Sequence, residues 1–308
     1  MACVGILLLD SASLYYRAYF ALPDSITGPD GQPVNAVRGF LDTIASLARE
    51  REPNTVVACW DDDWRPQWRV DLIPTYKTHR VLDEGTSDDV AVEEVPDTLA
   101  PQIDVIAELL EVAGIPRIGA VECEADDVVA TLALRSRSPV DIASGDRDLL
   151  QLVSDRVTLL YTGGTSASRG GRPYAPMDPG LVREQYGVDP ERYADLSILR
   201  GDPSDGLPGV RGIGAKTAAA LVTAFGGIDG ILRAAREPGS PRPMTPTLRD
   251  RLLDAEATLR DLDQVVRLRA RPGVPPIPRM SLDPEAALNA ARRHGVEAAM
   301  RRLMDALA

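Results

Sequence analysis

Lysine is nearly absent from this chain. Of its 34 basic residues only Lys77 and Lys216 are lysines, and the rest are arginine. A compact ammonium differs chemically from a planar guanidinium, so the two that remain mark their own segments for attention. Histidine is equally scarce, and His79 and His294 lie too far apart in sequence to suggest a metal-binding pair. The three cysteines, Cys3, Cys59 and Cys123, lack the short intervals of a zinc site. They are expected to be reduced, buried thiols of a cytoplasmic protein. No apolar run approaches the ~18–20 residues of a membrane span. No basic leader precedes the first strand-like run, so neither a membrane anchor nor a signal peptide is expected.

What is abundant is acid. The 308 residues carry a net charge of −12 with 44% hydrophobic and 26% charged residues, the composition of a globular chain of one large domain or up to two ordinary ones. Such a balance argues at first against a nucleic-acid binder, but the charge is unevenly spread. Residues 1–199 hold 17 Lys and Arg against 33 Asp and Glu, whereas residues 200–271 hold 12 against 9. An acidic protein still binds phosphate where part of its acid is a metal site, because a divalent cation inverts the local field.

Strand-like and helix-like segments alternate. Val4–Leu9 and Thr55–Trp60 are continuous apolar runs, as in buried parallel strands, and Ile115–Ile118, Val140–Ala143 and Val157–Tyr161 read as three further strands. Helical periodicity covers Leu14–Leu22, Val34–Arg51, Leu99–Ala113, Pro179–Tyr186 and Pro190–Arg200. Thr162–Pro176 reads as a Gly/Ser-rich hairpin or loop. Residues 248–308 read as helices around a short strand at Val265–Leu268. The pattern predicts an α/β fold with a mostly parallel central sheet covered by helices.

In such sheets ligands bind beyond the carboxyl ends of the strands. Three strands here end in acids, at Asp10, at Asp61, and at Asp146 with Asp148. Glu124, Asp126 and Asp127 open a helix on the same edge, a place where the macrodipole already favours acids. Seven carboxylates on one crevice would repel one another without cations, a pattern suited to hard divalent ions. Asp202 and Asp205 enlarge the set to nine. A phosphatase with an aspartyl nucleophile would need a second Asp two residues after Asp10, where Ala12 stands.

Beside those acids, Gly209-Val210-Arg211-Gly212-Ile213-Gly214 forms a glycine turn feeding a helix that begins near Ala215, with Lys216 and Thr217 in its first turn. Glycines let backbone approach a phosphate and the helix start offers free N–H groups, a grip on nucleic-acid backbone that ignores sequence. A P-loop is excluded because Ala215 stands where glycine must precede the lysine.

Taken in order, these pieces resemble the 5′-nuclease family, the flap endonucleases and the 5′→3′ exonuclease domain of bacterial DNA polymerase I. Leu7–Asp10 with Tyr16-Arg17, Trp60-Asp61, Tyr76-Lys77-Thr78-His79-Arg80, Glu124-Ala125-Asp126-Asp127, Ser144–Leu149 and Gly201–Gly214 carry the resemblance along nearly the whole chain. It implies a stand-alone, PIN-like nuclease core over residues 1–195 with an arch segment at about 76–98, an inserted helix–three-turn–helix DNA-binding element over 196–270, and C-terminal helices over 271–308 packing on the core or on the DNA-binding side. It implies two or more divalent cations (Mg2+ or Mn2+), one held by Asp10, Asp61, Glu124, Asp126 and Asp127, the other by Asp146, Asp148, Asp202 and Asp205. A monovalent cation (K+) at the Gly209–Gly214 turn is implied as well. Arg17, Lys77 and Arg80 would neutralise the scissile phosphate, and Tyr76 would stack on an unpaired base. The expected partner is DNA with a 5′ flap, nick or single-strand/double-strand junction, RNA-primed DNA included, bound by a monomer. A PIN-type single-strand ribonuclease shares the acidic crevice but lacks the glycine turn. A non-catalytic junction binder would have lost some of the nine acids.

Two departures from the family pattern stand out. Residues 81–97 carry Asp83, Glu84, Asp88, Asp89, Glu93 and Glu94 with no cation, so this stretch is expected to hold a flap weakly and to be mobile. Gly206 stands where the family carries Asn, which is expected to loosen the loop that orients Asp205.

Overall fold

In a computed structural model of the chain, residues 5–83, 92–164, 173–239 and 242–308 are described. Six strands form one sheet in the order β5-β2-β1-β6-β7-β8: β1 (Ile6–Asp10), β2 (Thr55–Cys59), β5 (Arg117–Ile118), β6 (Val140–Ser144), β7 (Val157–Tyr161) and β8 (Ala175–Met177). The first five run parallel, and β8 returns antiparallel to β7. The register sets Asp10 beside Cys59 and Leu9 beside Ala143, so β1, β2 and β6 end on one edge.

Both faces of this sheet are buried, which is why strands β1 and β2 read as nearly unbroken apolar runs. On one side Leu7, Leu9, Val56 and Ala58 pack with α1 (Ser11–Ala21), α2 (Asn35–Arg51) and α4 (Ala100–Ala113). Helices α12 (Pro284–Arg293) and α13 (Glu297–Leu307) join the same cluster through Ala287, Ala291, Met300 and Leu303. They pack against the sheet domain rather than the later helices, α13 against α2 and α12 against α4. On the other face Leu8, Val57, Ile142 and Leu159 pack with α5 (Ala125–Arg135) and with Val182 of α6 (Pro179–Tyr186). The α1–α2 crossing needs glycine, because a Cβ on Gly39 would lie 2.7 Å from that of Ala18.

A third cluster belongs to a helical unit made of α7 (Tyr193–Arg200), α8 (Ala215–Phe225), α9 (Ile228–Arg236), α10 (Pro246–Asp254) and α11 (Glu256–Val266). Ile73 and Tyr76, just after α3 (Gln67–Leu72), also belong to it, so the stretch after β2 bridges core and helical unit. No single helix among the described residues is long and apolar enough to cross a membrane. The pair α8–α9 passes on composition but is bent by 80°.

Two expectations are corrected. No strand forms at Val265–Leu268: Leu259, Leu262, Val265 and Val266 follow helical spacing, and all are buried on α11. The expected helix over Pro190–Arg200 is a 3-10 turn at Pro190–Arg192 followed by α7. In the expected arch, β3 (Val81–Asp83) and β4 (Val92–Glu93) pair antiparallel, while Glu84, Asp88 and Asp89 lie outside the described residues, as does Cys3.

One buried charge pair pins α2 to the sheet. Asp141 of β6 is 2% exposed, and the Arg51 guanidinium donates to both its oxygens, at 2.5 and 3.1 Å. Removing one partner strands the other, so Arg51→Met is expected to cost about 3 kcal/mol in urea unfolding, and the double change with Asp141→Leu to cost less.

Candidate active site

The strand ends, the start of α5 and the stretch after β2 enclose a cleft of about 270 Å³. Asp10 ends β1 and caps α1. Its carboxylate accepts from the Ser13 N–H at 3.2 Å and from Ser144 Oγ at 2.5 Å. Asp61 follows β2 and accepts from the Ala125 N–H at 2.8 Å, satisfying one of the free donors at the start of α5. Asp126 stands in the first turn of α5 and Asp146 follows β6; all four acids line the cleft. Asp146 also accepts from the Asp148 N–H at 2.7 Å. Asp148 and Asp205 instead line a small recess behind the cleft, which Asp126 and Glu124 share with both. Ser197 of α7 donates to Asp148 at 3.1 Å, so the helical unit supports this acid.

The electrostatics divide the acids into two groups. Burial pushes the Asp10 carboxyl up to about 7, opposed by the Ser144 hydrogen bond and reinforced by Asp61 and Asp146. Burial raises Asp148 to about 8, and Asp146 and Asp205 add to it. Asp61, Asp126 and Asp146 are raised for the same first reason, and for Asp126 the charges of Asp146 and Asp10 follow. Glu124 goes the other way. Burial works against its charge, but Arg69 and Lys77 hold its carboxyl below the ordinary range. Arg69 donates to Glu124 at 2.7 Å and to Asp127 at 3.0 Å, Lys77 Nζ contacts Glu124, and Tyr76 Oη donates to Glu124 at 2.8 Å. The acids of the first group are therefore short of positive charge, and Glu124 is not.

Several predicted roles change with this placement. Tyr76 is 4% exposed with its hydroxyl committed to Glu124, so it cannot stack on a base. Asp127 is fully buried between Arg69 and Arg271 and faces away from the cleft. Asp202 caps the 3-10 turn Pro203–Asp205 through Ser204 and lines neither cleft nor recess. Arg17 lines a separate hollow with Leu14, Leu47 and Tyr174, while its neighbour Tyr16 lines the cleft. Lys77 and Arg80 do line the cleft. Lys77 has left-handed backbone (φ 48°) and donates its N–H to the Asp205 carbonyl at 3.0 Å, and the Arg80 guanidinium pairs with Asp205 at 2.8 Å. Gly206 tightens this loop rather than loosening it. Its φ is +71°, a Cβ there would lie 2.0 Å from the Thr75 carbonyl oxygen, and its own carbonyl accepts from Thr75 Oγ1 at 2.7 Å.

At the glycine turn, Val210 and Ile213 are buried anchors in the helical unit, and the Val210 N–H is bonded to the Leu199 carbonyl at 2.9 Å. Gly209 packs on the end of α7. Arg211, Gly212, Gly214 and Lys216 are exposed and Thr217 is half-buried, and Gly214 caps α8 with no side-chain hydrogen bond.

Sequence reasoning missed Arg69, Arg271, Ser144, Trp64 and Glu93. Arg69 and Arg271 pass for surface cations in a chain rich in arginine. Only the fold stacks both on Trp68, at 4.9 and 4.3 Å from its ring centroid, and aims them at the same carboxylate.

The donors around the cleft are carboxylate and hydroxyl oxygens, while Cys59 beneath them is held as a neutral thiol by burial. Such a set fits a hard divalent cation. Among the described residues no three Asp, Glu, His or Cys side chains are drawn together as a ready-made ion cage.

Comparison with known proteins bears on the same residues. Residues 5–187 match the family model for the N-terminal resolvase-like domain of 5′-3′ exonucleases, and residues 188–279 match that for their C-terminal SAM fold. The chain is 48% identical over 307 residues to a 5′-3′ exonuclease of Streptomyces coelicolor, covering 98% of this chain and 99% of that one. It is 37% identical over 231 residues to DNA polymerase I of Mycobacterium bovis, covering 74% of this chain and 24% of the polymerase. Among solved structures, the T5 5′-exonuclease with bound zinc superposes with a TM-score of 0.62 at 20% identity, over 99% of this chain and 100% of that one. The catalytic core of Rad2 in complex with DNA superposes with a TM-score of 0.61 at 19% identity, over 98% and 92%. At these identities the two structures establish the fold.

The placement of Tyr76 is directly testable. Tyr76→Phe removes a buried donor to a charged acceptor and is expected to lower unfolding free energy by about 1.5–3 kcal/mol. Affinity for single-stranded DNA, read by fluorescence anisotropy, should stay unchanged. A base-stacking role predicts instead no loss of stability, because phenylalanine keeps the ring that would stack and lacks only the hydroxyl.

Proposed function

The chain belongs to the 5′-3′ exonuclease family and is a nuclease; on that premise we propose that it is a divalent-metal-dependent, structure-selective 5′ nuclease acting on DNA. Its substrates would be 5′ flaps, nicks and single-strand/double-strand junctions, with flap or RNA-primer removal as the task, performed by a cytoplasmic monomer. The observation that carries this reading is the cleft lined together by buried Asp10 and half-buried Asp61, Asp126 and Asp146, whose carboxyls are all pushed upward.

Bound Mg2+ or Mn2+ would supply a water of lowered pKa and neutralise charge on the phosphate being cut. Asp10, Asp126 and Asp146 are the carboxylates placed to hold such ions from the cleft, and Asp148 and Asp205 from the recess, some through water. Asp61 and Ser144 orient this set through their bonds to the start of α5 and to Asp10. Lys77 and Arg80 stand on the cleft wall, where they would attract a phosphate and hold it against the acids. Neither nucleophilic Ser nor Cys is required, and Cys59 is kept protonated below the site.

The exposed backbone of Arg211, Gly212 and Gly214, the open start of α8 and Lys216 would grip duplex backbone, with a K+ ion at the turn. Asp202, Asp127 and Arg17 act at a distance on this reading.

Cleavage of an end-labelled 5′-flap duplex should require Mg2+ or Mn2+ and stop on chelation. Asp126→Asn should lose at least about a hundredfold in rate with its fold retained by circular dichroism. Metal-independent cutting, or full activity in the variant, would sink the proposal. Lys216→Ala should weaken binding alike for all duplex sequences and reduce the slope of log affinity against log salt by about 1. An effect confined to particular sequences would count against a backbone grip.

A further inference from the structure

One acid in the cleft belongs to neither the strand ends nor the start of α5. Glu93 lies on β4, and the partner strand β3 follows directly on the Lys77–Arg80 stretch. Val81 pairs with Glu93, and the Glu94 N–H donates to the Arg80 carbonyl at 2.7 Å. This pairing holds Glu93 on the wall that also carries Tyr16, Lys77 and Arg80, where its carboxylate lines the cleft. Tyr16 itself feels that charge, which adds to burial in raising its phenol.

Burial raises the Glu93 carboxyl, Lys77 and Arg80 oppose that shift, and the charges of Asp61 and Glu124 add to it. Lys77 and Arg80 are the cations lining the cleft, and they are already matched to Glu124 and Asp205. The sequence supplies no Lys or Arg from Val81 to Pro116, so the segment carrying Glu93 brings no cation of its own. Cations held by Asp10, Asp126 and Asp146 would offset the acids on their side. Glu93 is on the wall of the Lys77–Arg80 stretch, beside the path that an unpaired 5′ strand would take past those cations. Each phosphate of such a strand would meet like charge there, whereas a 5′ end at a nick brings almost none.

Resting on the nuclease reading above, we propose that Glu93 is a specificity-determining residue that biases this enzyme toward nicks, gaps and very short 5′ flaps and against long single-stranded flaps. The preferred substrate class is then a paired or nearly paired 5′ end. Because the repulsion acts across a solvent-filled cleft, salt should weaken the bias.

The test compares kcat/KM of wild type, Glu93→Gln and Glu93→Lys on end-labelled duplexes bearing a nick, a single-nucleotide flap or a long flap, with Mn2+ at low and at physiological salt. Glu93→Gln should raise the long-flap to nick ratio by roughly threefold to tenfold, Glu93→Lys should raise it further, and both gains should shrink as salt rises. Calorimetric titration of Mn2+ into each DNA-free protein is the second readout, expected to be unaltered by Glu93→Gln. An unchanged ratio in active variants overturns the inference alone. A uniform fall on all substrates with weakened Mn2+ binding overturns it by making Glu93 a metal ligand. Failure of all three proteins to cut any 5′ end sinks the nuclease reading, and the inference with it.

Discussion

Crowding like charges side by side, partly withdrawn from water, is costly, and this protein does so at the carboxyl edge of its sheet. Asp10, Asp61, Asp126, Asp146 and Asp148 each have their carboxyls pushed upward, first by burial and then, for most of them, by one another. Nothing about folding alone favours such an arrangement. The parallel register brings three strand ends together, and the backbone donors at the start of α5 and the hydroxyls of Ser144 and Ser197 only partly compensate. A group of oxygen donors held in this condition is poised for divalent cations, whose charge removes the repulsion.

Behind these acids lies a second layer with the opposite property. Glu124 and Asp127 are buried more deeply than most of these, yet Arg69, Lys77 and Arg271 neutralise them. Arg69 and Arg271 stack on Trp68, which spares their planar faces from needing water. The start of α5 thus has a rigid, charge-balanced rear and an unbalanced front, and Asp126 belongs to the front. Because Arg271 comes from the end of the helical unit and Arg69 from α3, this rear layer also joins the helical unit to the nuclease core.

The same economy governs the loop at Asp205. Gly206 lets the loop sit against Thr75, Asp205 accepts from Lys77 through its carbonyl and from Arg80 through its carboxylate, and Lys77 adopts a left-handed backbone to reach both Asp205 and Glu124. The strain at Lys77 is held by partners on each side of it. The cations best placed to meet a phosphate are therefore already engaged with acids of the site.

The sequence by itself determined the layer order, the edge of the sheet that carries the site, and the identity of most of its acids. Continuous apolar runs ending in Asp can be read without coordinates because a parallel strand buried on both faces has no polar alternation, and its first free position is its carboxyl end. The glycine turn before α8 was equally legible, since few other sequences both close a tight turn and open a helix. Which way each side chain faces was decided only in three dimensions. Asp126 and Asp127 are adjacent in sequence, yet a helix turns them about 100° apart, one into the cleft and the other toward Arg69 and Arg271. Tyr76 reads as a stacking aromatic until the helical unit closes over it, and Val265 reads as strand until its neighbours on α11 are seen to follow a helical period. Direction and burial depend on contacts between segments far apart in the chain, and local sequence carries no record of those contacts.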